Sequence, residues 1–159
     1  MKPLFAAVAA LIFSFPTLAG QPAALREATP CCCDALFRQG SIGCDPHGPT
    51  RGTVLYADGK LPRLKAHLQG IVWKGKTFHD DGTFTNRWLG GVTAGSAGIC
   101  VEPSWLDGQP CFVMQYGPDA PVFRNVRDEL REVAPDTWLG RSYDACTGQP
   151  KNWFVLRRK

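Results

Sequence analysis

Cysteine is the residue type whose number and spacing in this chain most clearly suggest chemistry. Seven are present, and four of them lie between residues 31 and 44. A metal site built from that stretch and His47 is chemically possible, because thiolates bind zinc and copper(I). However, structural zinc sites separate their cysteines by about two to four residues, whereas consecutive side chains diverge. We therefore expect disulfide bonds, and the candidates are Cys31, Cys32, Cys33, Cys44, Cys100, Cys111 and Cys146.

The odd number of cysteines leaves at least one of them without a partner in the chain. The alternative that one thiol takes part in redox chemistry, binds copper or bonds to another molecule therefore remains open. A two-residue turn between Cys100 and Cys111 would keep their thiols apart, whereas a wider loop would let them oppose each other and bond. We favour the wider loop, because Pro103 and Pro110 remove donors from the strand ladder. Cys146 could reach back to the amino-terminal cluster.

Other residue types that could support catalysis have simpler explanations. The His-Asp-Asp run at 79–81 lies at a predicted turn, where Asp-Gly pairs are common for backbone reasons. Residues 94–98 look like a nucleophile elbow, but that motif needs a helix after its serine, and a strand-like run follows. Asp128, Glu129 and Glu132 could act as paired carboxylates, yet they alternate with arginines as on an exposed strand face. The sequence nominates no catalytic residue, no metal ligand and no cofactor.

The start of the chain indicates export. Residues 1–19 contain one positive charge, an apolar run, Pro16 and then small residues, which predicts a secretory signal peptide cleaved after Ala19. The run is shorter than the roughly 20 apolar residues that cross a bilayer, and no later segment is long and apolar enough. We expect a secreted or periplasmic protein with no membrane span, in a compartment where thiols pair.

The composition is mildly basic, with a formal net charge of +4. The cations form no concentrated stripe, so nucleic-acid binding is not expected. After the signal peptide, residues 20–51 form a Cys-rich lead-in. Within it, residues 20–30 are predicted to be flexible, and the cysteine region that follows is predicted to contain at most a short helical turn near 34–38. The β domain is expected over 52–159. The sequence does not predict the oligomeric state.

Short β-prone runs alternate with turn signals from residue 53 onward, which is typical of an all-β sandwich or barrel. One helix interrupts them, since Leu61, Leu64 and Leu68 share helical spacing. A short helix with one leucine stripe usually covers an apolar surface such as the end of a barrel. Later strands are expected near 97–101, 111–116, 128–133, 138–143 and 152–158.

The clearest element is an antiparallel hairpin over 70–91 with a turn at 79–82. Strict alternation gives this hairpin one apolar face and one wet face. The apolar face contains Ile71, Trp73, Phe84, Asn86 and Trp88, and the wet face contains Lys74, Lys76, Thr83, Thr85 and Arg87.

A long antiparallel sheet without helix cover must close or fold on itself. We favour a barrel of about eight strands. Such an interior is either packed with side chains or holds one small ligand, and both alternatives remain open. Asn86 on the inner face needs a hydrogen-bond partner, which a ligand could supply. The predicted ligand-binding residues are Trp73, Phe84, Asn86, Trp88, Phe112, Met114 and Tyr116.

Short motifs in the β region resemble known families. The stretch GIVWKGKTF at 70–78 resembles the Gly-x-Trp neighbourhood that opens lipocalin-like (calycin) barrels. The closer likeness is to bacterial β-domains of the GXWXG type and covers roughly 52–159. It implies a barrel-like β-domain and no established reaction. The matching residues are Trp73, Gly75, Lys76 and Phe78, followed by Phe123-Arg124, Leu139-Gly140 and Phe154-Val155-Leu156-Arg157.

These observations predict an all-β, antiparallel, lipocalin-like (calycin) barrel with a short helix and a Cys-rich amino-terminal segment. The expected function is non-enzymatic binding of a small apolar ligand in the barrel. Two alternatives remain: an exported hydrolase acting on lipid or glycan, and a thiol-redox or copper-handling protein that uses the cysteine cluster.

Overall fold

The structure, a computed structural model, describes residues 22–116 and 120–159. The predicted signal peptide at 1–19 and the turn expected at 117–118 lie outside the described residues. None of the helices in the described part of the chain is long and apolar enough to cross a membrane.

Eight antiparallel strands form a closed barrel, as predicted. Each strand pairs with its neighbours in sequence, and the last strand pairs with the first. Closure leaves no exposed sheet edge. The strands are β1 (Gly48–Ala57), β2 (Trp73–Phe78), β3 (Thr83–Trp88), β4 (Thr93–Pro103), β5 (Pro110–Gln115), β6 (Val126–Ala134), β7 (Thr137–Asp144) and β8 (Pro150–Arg158).

Within residues 22–116 and 120–159, three α-helices accompany the barrel: α1 (Pro22–Glu27), α2 (Pro30–Gln39) and α3 (Pro62–Val72). The expectation of a flexible lead-in with one helical turn is wrong. α2 has ten residues, begins with a proline, and is capped by the Thr29 side chain, which accepts a hydrogen bond from the Cys32 backbone. Cys33 and Phe37 on its inner side are fully buried against the barrel wall.

A hydrophobic core packs against each face of the barrel wall. Inside, the packed side chains include Phe84, Phe112 and Trp138. Outside, α1 and α2 cover one side of the wall, where Phe37 packs edge-on against Trp153 with ring centroids 5.7 Å apart. The helices thus help to explain how strands β5 to β8 are buried on both faces.

The antiparallel order fixes which connections share an end of the barrel. We call the upper end the one that carries α3, the 3-10 turn Leu89–Gly91, and the segments 120–125 and 145–149. Segment 40–47 covers the lower end. There Ser41 pairs with Glu132, Ile42 packs on the interior core, and the Trp138 indole donates to the Cys44 carbonyl at 3.3 Å.

Candidate functional site

The upper half of the barrel interior contains a cavity of about 310 Å³. That volume lies at the lower end of the range for small-molecule sites. Five of its sixteen lining residues are aromatic. The aromatic residues that line it are Trp73, Trp88, Tyr116, Phe123 and Phe154, and the interior polar residues are Lys76, Asn86, Asp128 and Ser142.

A β-bulge in β2 brings Lys76 into this cavity. Trp73 pairs with Trp88, but Gly75 pairs with Arg87, so β2 contains one extra residue between these two pairs. Gly75 has a φ of 124°, which favours glycine. The extra residue reverses the alternation that follows it. Lys76 and Phe78 therefore face inward, and the prediction that placed Lys76 on a wet face is wrong.

Lys76 is 1% exposed, and all three hydrogens of its ammonium group are used. Its Nζ donates to Asn86 Oδ1 at 3.0 Å, Tyr116 Oη at 2.8 Å and Asp128 Oδ2 at 2.9 Å. The ring centroid of Phe84 lies 4.5 Å from the same nitrogen, which is cation–π distance.

Asn86 has only one orientation that satisfies its neighbours. Its Oδ1 accepts from Lys76 and from the Trp73 indole at 3.1 Å, and both of these groups can only donate. Its Nδ2 must therefore face the other way, where it donates to the Gly95 carbonyl at 3.3 Å and to Tyr116 Oη at 2.7 Å. The usual ambiguity of amide orientation is resolved here by chemistry.

Tyr116 consequently has a free hydroxyl proton. Its oxygen accepts from both Lys76 and Asn86, and no described residue accepts from it. Burial raises the pKa of Tyr116, with Asp128 adding to the shift and Lys76 opposing it, so the phenol keeps its proton at neutral pH. The cavity thus contains one hydrogen-bond donor without an acceptor in the described chain.

The two buried charges in the cavity cancel, and Lys151, which also lines it, pairs with Asp144 at 3.0 Å. Asp128 accepts from Lys76 through one oxygen and from the Ser142 hydroxyl through the other. Burial alone would lower the pKa of Lys76, but the charge of Asp128 and the hydrogen bonds to Tyr116 and Asp128 raise the pKa above its ordinary value. The Lys76 ammonium group therefore keeps its charge at neutral pH. We refer to Lys76, Asn86, Tyr116, Asp128 and Ser142 as the interior cluster.

The seven predicted ligand-binding residues divide into two groups. Trp73, Asn86, Trp88 and Tyr116 line the cavity. The other three are buried in the interior core, namely Phe84, Phe112 and Met114. The interior is thus packed in its lower half and hollow in its upper half.

Lys76, Asp128 and Ser142 were not predicted to line the cavity. The sequence nevertheless contains an indication that Lys76 faces inward. Unbroken alternation places Phe78 on the same wet face as Lys76, and a glycine precedes the lysine. A phenylalanine on a wet face and a glycine within a strand together indicate a bulge.

The charged run on β6 is not on an exposed face, contrary to expectation. Asp128 faces the cavity, while Arg127, Glu129 and Arg131 face outward and are nevertheless at most 4% exposed. The β4–β5 loop at 104–109 covers them. Asp128 and Glu129, two of the carboxylates considered for hydrolysis, are therefore separated by the barrel wall, and His79 is exposed at the lower end, 3.2 Å from the Thr85 hydroxyl.

The cysteines form no disulfide bond in the structure. The loop between β4 and β5 is wider than two residues, as expected, but the pairing predicted for Cys100 and Cys111 is wrong, because Cys111 pairs with Glu102 and Cys100 with Val113. Cys33 and Cys111 are buried, and the other five are exposed: Cys31, Cys32, Cys44, Cys100 and Cys146. Within the described part of the chain, no three His, Cys, Asp or Glu residues come together as metal ligands.

Comparison with known proteins shows a similar fold. No protein-family model and no curated protein matches the sequence. A crystal structure of a protein from Thermomonospora curvata is similar with a TM-score of 0.58 and 20% sequence identity, over 86% of this chain and 92% of that one. At this identity, the similarity shows that the two chains share a fold.

Proposed function

We propose that the protein binds a small, neutral, largely apolar molecule in the upper half of a lipocalin-like barrel. The observation that supports this most directly is the Tyr116 hydroxyl, which lines the cavity and has a proton to donate. A carbonyl or ether oxygen on the ligand would accept it. The predicted export and the resemblance to GXWXG-type domains are compatible with such a binding protein.

The neutrality of the ligand follows from the charges that are already present. Lys76 and Asp128 compensate each other at 2.9 Å, so a charged ligand would enter a desolvated site without a counter-ion. The aromatic walls favour a flat body. Trp88 and Phe123 stack with ring centroids 5.7 Å apart, and Tyr116 lies 5.2 Å from Phe123. We therefore refine the expected apolar ligand to one with a flat apolar body and one hydrogen-bond acceptor.

Titration with 2-acetonaphthone and 2-ethylnaphthalene tests this proposal. The two probes share a flat apolar body, and only the ketone carries an acceptor. Quenching of tryptophan fluorescence reports binding, because Trp73 and Trp88 line the cavity. We expect saturable binding of both, with the ketone about five- to tenfold tighter, which is the contribution of one hydrogen bond.

Tyr116→Phe should abolish the advantage of the ketone while leaving the hydrocarbon affinity unchanged. Tyr143→Phe is the matched control, because it also removes a buried hydroxyl, but on the outer side of β7. Equal affinity of wild type for the two probes, or an advantage that survives in Tyr116→Phe, would contradict the assignment of Tyr116. Absence of saturable binding for both probes would contradict the ligand-binding proposal.

A further inference from the structure

Helix α3 presents its apolar side chains to solvent. Leu61, Leu64 and Leu68 are 68%, 52% and 54% exposed, and Ile71 and Val72 are also exposed. Their spacing of three or four residues places them on one side of the helix. Ala66, on the opposite side, is the buried residue of the helix and faces β1. The expectation that the leucine stripe covers the barrel end is therefore wrong, since the stripe points away from the barrel.

The stripe continues along the rim of the cavity. Leu89, the first residue of the 3-10 turn, and Val92, which follows that turn, are each 57% exposed. Val122, at 83%, lies on the rim and lines the cavity together with Val72. Contiguous exposed apolar surface of this kind marks an interaction site. We call α3 with Leu61, Leu89 and Val92 the apolar rim.

Leu61 is held in a conformation that favours glycine. It precedes α3 with a φ of 54° and makes no side-chain cap. A left-handed conformation is unfavourable for a branched side chain. The exposed leucine therefore adds to the apolar rim at a cost to local stability, which is typical of a functional position.

Positive charge surrounds the apolar rim. From Gly59 to Phe78 the chain contains no acidic residue. Beside α3 runs a groove of about 740 Å³ that we call the basic groove, and none of the described residues that line it is acidic. The cations that line it are Arg26, Arg51, Arg63, Lys74, Arg87 and Lys159.

Arginines next to the basic groove lack counter-ions. Arg51 pairs directly with Arg157 across β1 and β8, and like charges in that arrangement repel. A buried nitrogen of Arg157, Nη2, has no hydrogen-bond partner. Burial, together with the charges of Arg26 and Arg51, lowers the pKa of Arg157. The groove therefore carries positive charge that the described residues do not compensate.

We infer that α3 and the apolar rim dock on a membrane surface that contains anionic lipids. A helix with apolar side chains on one side and cations beside them lies in the bilayer interface, where the apolar side enters the acyl boundary and the cations contact headgroups. Charge complementarity favours this occupant over a second copy of the chain, since two basic grooves would repel each other. The docking does not depend on the cavity ligand. Docking would also place the mouth of the cavity against lipid, and the significance of that placement rests on the proposed function.

Co-sedimentation with vesicles tests the docking. We expect the protein to bind phosphatidylcholine vesicles that contain about 40% phosphatidylglycerol, and not vesicles of phosphatidylcholine alone. Leu64→Gln/Leu68→Gln should reduce binding at least tenfold. Arg63→Gln and Lys65→Gln should each reduce it about fivefold, and about 0.5 M salt should release wild type. All variants share residues 1–21, so any contribution of that segment cancels.

Two matched controls should bind like wild type. Val101→Gln changes an apolar residue that is 53% exposed on β4, and Arg38→Gln changes an exposed cation on α2. Equal binding by wild type and the double leucine variant would overturn the docking. A different result would assign the apolar rim to contact with a second copy of the chain. In that case wild type would be a dimer that does not bind vesicles, and the double leucine variant would be a monomer. Binding of 2-acetonaphthone without vesicles should be unchanged in that variant, which separates failure of docking from failure of the cavity proposal.

Discussion

The interior cluster and the charged residues on the outer face of β6 are both buried, but their hydrogen bonding differs. We call Arg127, Glu129, Arg131 and Asp107 the outer network. The five N–H groups of Arg131 all find acceptors: both oxygens of Asp107 and the carbonyls of Phe37, Gln109 and Pro110. Glu129 accepts from Ser104, the Trp105 backbone and Arg127.

This difference separates a structural role from a binding role. The outer network ends on backbone carbonyls of the β4–β5 loop and of α2, so it fixes these elements to the barrel wall. The interior cluster ends at a cavity and leaves the Tyr116 hydroxyl proton without an acceptor among the described residues. A satisfied buried network specifies one arrangement of its elements, whereas an open position in such a network marks a place for a ligand.

The largest effect is expected from Lys76→Met. It leaves Asp128 buried without its cation, which should lower the free energy of unfolding by about 3–5 kcal/mol. Lys76→Met/Asp128→Leu should restore most of that stability, since an apolar pair needs no compensation. Urea denaturation checks both. A double variant no more stable than Lys76→Met would show that the interior cluster, like the outer network, has a structural role.

Arg131→Met should cost about 3 kcal/mol, because it leaves Asp107 and three carbonyls without their donor. It should also loosen α2 while leaving the affinity for 2-acetonaphthone unchanged. Alkylation of Cys33 measures the loosening, since burial raises the pKa of this thiol to about 12 and keeps it unreactive. The exposed Cys32 is the internal control. Weaker ketone binding at unchanged Cys33 reactivity would contradict the division of roles.

Gly75→Ala should destabilise the protein by about 1–3 kcal/mol. The new Cβ would lie 2.4 Å from the Thr50 carbonyl oxygen and 2.6 Å from the Gly52 nitrogen. Gly48→Ala is the control, because Gly48 also has positive φ but has open space around it. Thermal unfolding compares the two. Equal losses would show that the close approach of β1 does not constrain the bulge.

The smallest effect is expected from Tyr143→Phe. The Tyr143 hydroxyl is buried without a partner, so its removal should stabilise the protein by about 0.5–1 kcal/mol. Tyr116→Phe should instead destabilise it by about 1 kcal/mol, because Lys76 and Asn86 lose an acceptor. Differential scanning calorimetry of both variants checks the signs. Equal shifts would show that the two hydroxyls have equivalent surroundings.

The architecture could be predicted from the sequence because it depends on local signals. Strand runs, turn residues and the spacing of the helix predicted the closed barrel and α3. Which side chains of β2 face inward after Trp73 could not be predicted, because a bulge has no strong sequence pattern. The helix at 30–39 was missed because three cysteines give a weak helical signal, and its stability comes from Phe37 packing on Trp153.

The site was predicted in part for the same reason. Trp73 was identified because it precedes the bulge in β2. Asn86, Trp88 and Tyr116 were identified because alternation holds in β3 and from β5 to Tyr116. Asp128 was missed because its charge suggested solvent, whereas a lysine from a strand distant in sequence accounts for its burial. Partners of this kind depend on the register of the closed barrel, which single-strand patterns do not contain.

The bulge at Gly75 has a consequence for how such interiors can change over generations. In a strand with a two-residue repeat, every side chain is committed to one face. A single inserted or deleted residue exchanges the two faces for all that follows. Insertion of one residue into β2 could thus move a lysine from solvent into the barrel without substituting any other residue. Relatives with or without the bulge would then differ in interior charge while retaining almost identical sequences.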